Sequence, residues 1–325
     1  MIPVTLRAAK EAVRQAKRTA NHCRCSLLDH RPKTLVLLYH RVLPEGQPHP
    51  LGTVVSVTTF IKQVEAVARR YAVCALGDVS GGRLATGGRA TAHVVFTFDD
   101  GYWDNYEIVF PLLKQKGIPA TFFVVTEYIG ARKPLWEWEV VSLVSNQQGP
   151  RRVTVDGEVL ERRAGESQVG FALRVFQRLR WASKETQTRA LDTLRASTVG
   201  AEPPTHPDHC MTWEQLRTMK RGGMEIGSHA ASHRPLSALS SQEATEEIRQ
   251  SKARIEQELG DRCLHFSFPF GSRRDYNEGL VSDVRDAGYE TCCLNIHGYN
   301  HLREGVFTLK RVVMTPWSNP ATLLG

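Results

Sequence analysis

Short, nearly unbroken apolar runs alternate along this chain with longer stretches of helical period. Lys33 to Tyr39 (KTLVLLY) reads as a first core strand. Residues 58–70 read as a helix capped near Thr58 or Thr59, with Phe60, Val64 and Val67 facing inward. The glycine-rich residues 77–89 read as loop or turn, and 93–98 (HVVFTF) as a second strand that delivers Asp99 and Asp100 at its end. Tyr102 to Lys116 suits a helix stopped by Gly117, and Ala120 to Val125 is a third strand. This strand–helix–strand rhythm predicts a parallel sheet in an α/β fold.

Between about 131 and 210 the rhythm changes. Trp136 to Val144 and Val169 to Ala196 read as helices, separated by a charged stretch with a hairpin at Asp156-Gly157. The segment is expected to be a largely helical insertion that borders the active site. Then the rhythm resumes. A helix over 212–221 opens with Thr212 and Gln215 at capping-box spacing. Strand 224–228 runs into His229, and helix 241–259 is stopped by Gly260. Strand 264–268 leads into Pro269-Phe270-Gly271, helix 277–287 ends at Gly288, and strands follow at 289–294 and 307–314.

Candidate chemistry collects at strand ends. His40, Asp99, Asp100, His229 and Phe270 each follow a predicted strand, where α/β barrels build their sites. His229 and His233 stand four apart, so one helical turn would place both imidazoles on one side, with Pro235 stopping it. Asp100-Gly101 alone could be a helix-capping turn. Two adjacent acids after an apolar strand, however, are costly unless a cation or proton resolves them. Taken together, these groups can hold a divalent metal and leave one carboxylate free to handle a proton.

Thr97-Phe98-Asp99-Asp100-Gly101, Ser228-His229-Ala230-Ala231-Ser232-His233 and Phe268-Pro269-Phe270-Gly271 resemble, in this order, the motifs of the polysaccharide deacetylase family. This is the NodB-homology group, carbohydrate esterase family 4. Tyr39-His40-Arg41-Val42 resembles the opening strand motif of many bacterial members. The resemblance covers about 35–130 and 210–315. It implies a distorted, incomplete (β/α) barrel that hydrolyses N-acetyl, or sometimes O-acetyl, groups of sugars. Asp100, His229 and His233 would bind a divalent metal, expected as Zn2+, and Asp99 would be the general base. The Phe270 N–H would help hold the oxyanion, with Pro269 and Phe270 on the substrate side. In the insertion, packing is the expected role of Trp136 and Trp138, with contact to a sugar as the alternative and Trp136 the candidate for it. Many relatives carry a base-orienting arginine two residues before the motif proline; this chain has Ser267, and Arg41 is the candidate replacement. The general acid is unassigned: His40 is one candidate, and His297 and His301 are expected in an exposed loop. A saccharide-binding protein of the same fold is the alternative, and a metal phosphoesterase drawing on Arg41, Arg234, Arg273 and Arg274 is a third reading.

Charge adds a separate arm. Residues 1–33 carry eight basic against two acidic side chains, a net +6 of the chain's +8. The remainder is barely basic, which argues against a nucleic-acid partner. Residues 1–32 form a basic amphipathic arm with a mostly alanine apolar face. Peripheral membrane contact through residues 1–25 is one expectation for it, and a solvated terminal helix the other. No signal-peptide pattern and seven cysteines without a disulfide framework fit a cytoplasmic protein. The expected partner is then an N-acetylated saccharide or lipid-linked glycan of bacterial exopolysaccharide biosynthesis, with 33–325 as the catalytic domain.

Overall fold

Every residue of the runs 33–39 and 92–98 is buried, as strands covered on both faces require. The computed structural model describes residues 33–47, 52–84, 92–146, 148–197, 209–301 and 305–323; the basic arm lies outside them. The elements begin with β1 (Lys33–Tyr39), β2 (Arg41–Leu43), β3 (Val54–Ser56), α1 (Val57–Arg70), β4 (Ala72–Val73) and α2 (Leu76–Ser80). β5 (Ala92–Phe98), α3 (Phe110–Gln115) and β6 (Ala120–Val124) follow. The insertion holds α4 (Trp136–Ser145), β7 (Arg152–Val155), β8 (Glu158–Glu161), α5 (Gln168–Leu179) and α6 (Lys184–Ser197). Next come α7 (Trp213–Arg221), β9 (Glu225–Ser228), α8 (Ser241–Leu259), β10 (His265–Ser267) and α9 (Glu278–Asp286). The last are β11 (Thr291–Cys293), β12 (Asn300–His301) and β13 (Arg311–Val313).

The strands line up in the order β11-β10-β9-β6-β5-β1, all parallel. β13 runs parallel to the free edge of β1, Val36 opposite Arg311 and Leu38 opposite Val313. The residues just before it bond back to the other edge: Leu309 N–H donates to the Cys292 carbonyl and receives a bond from Leu294 N–H, each 2.9 Å. β13 therefore bridges first and last strands and brings the sheet to a nearly closed barrel. Inside lie Val36, Val95, Phe123, Cys293 and Leu309, with Leu76 and Val79 of α2 packed against them. The larger core lies between the barrel and its helices, where Tyr39, Phe98 and Phe122 stack at 5.3 and 4.8 Å.

Several local expectations need correcting. The cap of α1 is Ser56, whose hydroxyl accepts from the Thr59 N–H, rather than Thr58 or Thr59. Part of the glycine-rich stretch is helical, because Glu225 accepts from the N–H groups of Leu76 and Gly77 at the start of α2. The helix after Asp100 contains a π-helical turn, Asn105–Val109. The region 169–196 is two helices, since Ser183 accepts from the Thr186 N–H and opens a second one. The hairpin turn is as expected, with Asp156 and Gly157 at φ +51° and +77°. No described helix is long and apolar enough to cross a membrane.

Candidate active site

The strand ends on the β1–β5–β9–β10 side of the barrel carry the polar residues. After Phe98 the chain turns through two left-handed residues, Asp100 and Gly101, both at φ +78°. Glycine suits the second position: a Cβ there would also lie 3.1 Å from Val124 Cγ1. Asp100, with a side chain, is strained by the same geometry, as are His233 at φ +59° and Phe270 at +62°. The His229–His233 segment is therefore a loop and not the helical turn that its spacing suggests; left-handed Ala230 and His233 bring the imidazoles to one side. The rings lie 5.0 Å apart.

Asp100 Oδ1 is the meeting point, 3.6 Å from His229 Nε2 and 3.3 Å from His233 Nε2, and all three side chains are buried. Their ligand atoms fall within 4.8 Å of one another. Each imidazole is anchored at its other nitrogen: His229 Nδ1 sits 2.7 Å from the Ser267 carbonyl, and His233 Nδ1 sits 2.6 Å from Glu137 Oε1. Such oxygens favour a proton on Nδ1 and turn both Nε2 atoms towards Asp100. Burial presses the His229 imidazole down to about 4 against the pull of Asp99 and Asp100. Burial also opposes charge on His233, but Glu137 and Asp100 overcome it and raise that group to about 10. Neither Asp100 nor Glu137 is ion-paired to a lysine or arginine among the described residues. A pocket with two buried carboxylates, two imidazole Nε2 atoms and no lysine or arginine paired to those carboxylates fits a divalent metal ion.

Asp99 Oδ2 also lies 3.6 Å from His229 Nε2, but the strong hydrogen bonds of this carboxylate go elsewhere. Arg311 Nη1 donates to its Oδ1 at 2.7 Å and Nη2 to its Oδ2 at 2.6 Å, a two-pronged contact from the seam strand β13. The guanidinium is itself fixed, through Nε to the Leu294 carbonyl at 3.0 Å and Nη2 to Ser267 Oγ at 2.9 Å. Burial would raise the Asp99 carboxyl, but Arg311 and then His229 outweigh it and hold it below the usual carboxylate range. An arginine that orients Asp99 is thus present, delivered by another strand, and the small Ser267 is one of its hydrogen-bond partners. Arg41 is not its replacement: it is buried against Asp104, Nε to Oδ1 at 2.9 Å.

His40, half-buried after β1, is close enough to Asp99 and Asp100 to favour their ionised forms. Its carbonyl accepts from Asn105 Nδ2 in the π-helical turn. Phe270 packs its ring 4.8 Å from that of His233, while Pro269 is buried beside it. Trp136 is buried at 3 % exposure, with its indole N–H donating to the His233 carbonyl at 3.0 Å. His301 is buried on β12, paired with Lys33 at the opposite end of β1, which contradicts its expected exposed loop and takes it away from the site. His297 is exposed. Sequence reasoning missed Arg311 and Glu137.

The description "polysaccharide deacetylase" belongs to the family model that matches residues 87–161 and 175–292. YxkH of Bacillus subtilis, which carries a polysaccharide deacetylase name, is 22% identical over 223 residues, 69% of this chain and 52% of its own length. This chain thus spans about half of that curated relative. Among solved structures, the Streptococcus pyogenes deacetylase PplD in complex with acetate superposes with a TM-score of 0.59 at 18% identity, covering 90% of this chain and 97% of that one. A de-N-acetylase from Aggregatibacter actinomycetemcomitans gives 0.56 at 16% identity, covering 90% and 98%.

Proposed function

Since the chain belongs to the polysaccharide deacetylase family, we propose that it is a metal-dependent hydrolase that removes acetyl groups, chiefly N-acetyl, from a saccharide. The observation that carries this reading is the division of labour between adjacent carboxylates: Asp100 faces both imidazoles, while Asp99, 3.6 Å from His229, is bound on both its oxygens by Arg311. Asp100, His229 and His233 would hold the ion, expected as Zn2+. When bound, such an ion polarises a carbonyl and acidifies water.

Asp99 is assigned as the general base. Arg311 keeps it ionised, and the two-pronged bond takes one lone pair on each oxygen, leaving capacity to accept a proton from the attacking water. The Phe270 N–H is assigned to the developing oxyanion. Pro269, Phe270 and Trp136 are assigned to the substrate side, Trp136 by shaping the ligand loop that the sugar meets. His40, at the rim beside both carboxylates, is assigned as the acid that returns a proton to the leaving amine.

The substrate is proposed as an N-acetylated saccharide or lipid-linked glycan of bacterial exopolysaccharide biosynthesis. It would be met on the cytoplasmic face of the membrane, with residues 1–25 supplying peripheral contact. Against a binding-only protein stands Arg311, since a pure binder has no need of an oriented, unligated carboxylate. Against a phosphoesterase, Arg41 is spent on Asp104 and Arg234 Nη2 on the Ala182 carbonyl. Acetate release from a panel of N-acetylated saccharides by zinc-loaded protein, with Asp99→Asn in parallel, tests the reading. Release by the wild type alone is expected; release of phosphate, or none of either from a zinc-binding wild type, overturns it.

A further inference from the structure

The ligand loop is gripped from one side by the insertion, at three points. The Trp136 indole donates to the His233 carbonyl at 3.0 Å. The neighbouring Glu137 places Oε1 2.6 Å from His233 Nδ1, with both side chains buried. Arg234 Nη2 donates to the carbonyl of Ala182, in the turn between α5 and α6, at 2.7 Å. Trp136 and Glu137 open α4, so one helix end holds the backbone and the ring of the same metal-ligand candidate. That residue has the left-handed backbone which an L side chain adopts only when its surroundings enforce it. α4 is not a loose flap: Val140, Val141 and Val144 share a buried core with Phe171, Val175 and Leu194 of α5 and α6. Trp136 also packs on Phe176, 5.6 Å between rings, and Phe176 on Phe270 at 6.1 Å.

We propose that the insertion is a structural half of the metal centre, with Trp136 and Glu137 as positioning residues that hold His233 for the metal. Glu137 fixes the imidazole's proton on Nδ1 and its ring plane; Trp136 fixes the strained backbone beneath it. Coupling of this kind is reciprocal, so metal binding must tighten α4 to α6 by as much as the insertion tightens the metal. This inference rests on the reading of Asp100, His229 and His233 as metal ligands.

The test measures zinc affinity of the full chain by competition with a chromogenic chelator, for wild type, Glu137→Gln and Trp136→Phe. Loss of an outer-shell partner of a ligating histidine lowers metal affinity roughly 10- to 100-fold. Glu137→Gln is expected in that range and Trp136→Phe at a smaller loss, while unfolding in excess chelator shows that both variants fold. Amide exchange across 136–197 of the wild type, with and without zinc, should show slower exchange with zinc. A purely structural role for the pair would lower stability in chelator and leave zinc affinity unchanged. Affinities within about twofold of wild type for both variants, or exchange in the insertion indifferent to zinc, overturn the proposal while the metal reading stands. A wild type that binds no zinc overturns both.

Discussion

Arg311 and Asp99 lie 212 positions apart in sequence, yet they meet through paired hydrogen bonds of 2.7 and 2.6 Å with both side chains out of solvent. Lysine cannot reproduce that fork. Arg311→Lys is expected to lower acetate release by about 100-fold through misplacement of the carboxylate, with zinc stoichiometry unchanged. Arg311→Met, which strands a buried carboxylate, should cost about 3–5 kcal/mol of stability in denaturant melts. Its acid limb of activity should also shift to higher pH, because burial of Asp99 is then opposed only by His229 and His40.

Chelation should abolish acetate release, and zinc should restore it. With zinc at about 100 times its dissociation constant, the native state gains about 2.7 kcal/mol. A thermal melt should therefore move upward in wild type and stay in place for Asp100→Asn. Equal melts for the two would contradict the assignment of Asp100 as a ligand.

Glu225 offers a pH test far from the chemistry. It accepts from Leu76 and Gly77 N–H groups and from Thr121 Oγ1, and it faces His265. Burial opposes its ionisation, but the bonds from His265, Thr121 and Gly77 prevail and lower its pKa. A lowered folded value means stabilisation that is complete above the ordinary glutamate range and lost as pH falls through the folded value. Glu225→Gln should cost about 1–3 kcal/mol at pH 7, with the gap to wild type closing in acid. A gap constant with pH in denaturant titrations would exclude the ionised contact.

Flotation with anionic vesicles tests the arm. The full chain is expected to float, and the chain lacking residues 1–25 to sink, with the difference suppressed by salt. Equal flotation removes membrane contact from the proposed function.

Much of this was legible in the sequence. The apolar runs of β1, β5 and β6 announce themselves because parallel strands are buried on both faces. The capping boxes at Thr212 and Ser240 fix helix starts through local hydrogen bonds. Asp99, Asp100, His229 and His233 were readable because each follows a strand within a compact motif. Arg311 was not, since nothing local links it to Asp99. The one signal was the adjacent pair Lys310-Arg311 inside the otherwise apolar run 307–314, since alternation along a strand turns one of the two inward, where it demands a buried partner. Glu137 was equally hidden: Glu139 lies in the same turn of α4, and spacing alone does not tell which one faces the loop. The ligand loop misled because a four-residue spacing fits a helical turn and also fits two left-handed residues.

The seam strand joins two jobs in one element. Asp99, Asp100, His229 and His233 all lie between the end of β5 and the start of β10, but the counter-charge of Asp99 comes from β13, the strand that closes the barrel. A chain cut before β13 would hold two neighbouring acids beside His229 with no guanidinium bonded to Asp99. On the proposed reading, the strand that closes the barrel also orients the base, so loss of β13 is expected to remove hydrolysis while leaving Asp100, His229 and His233 in the chain.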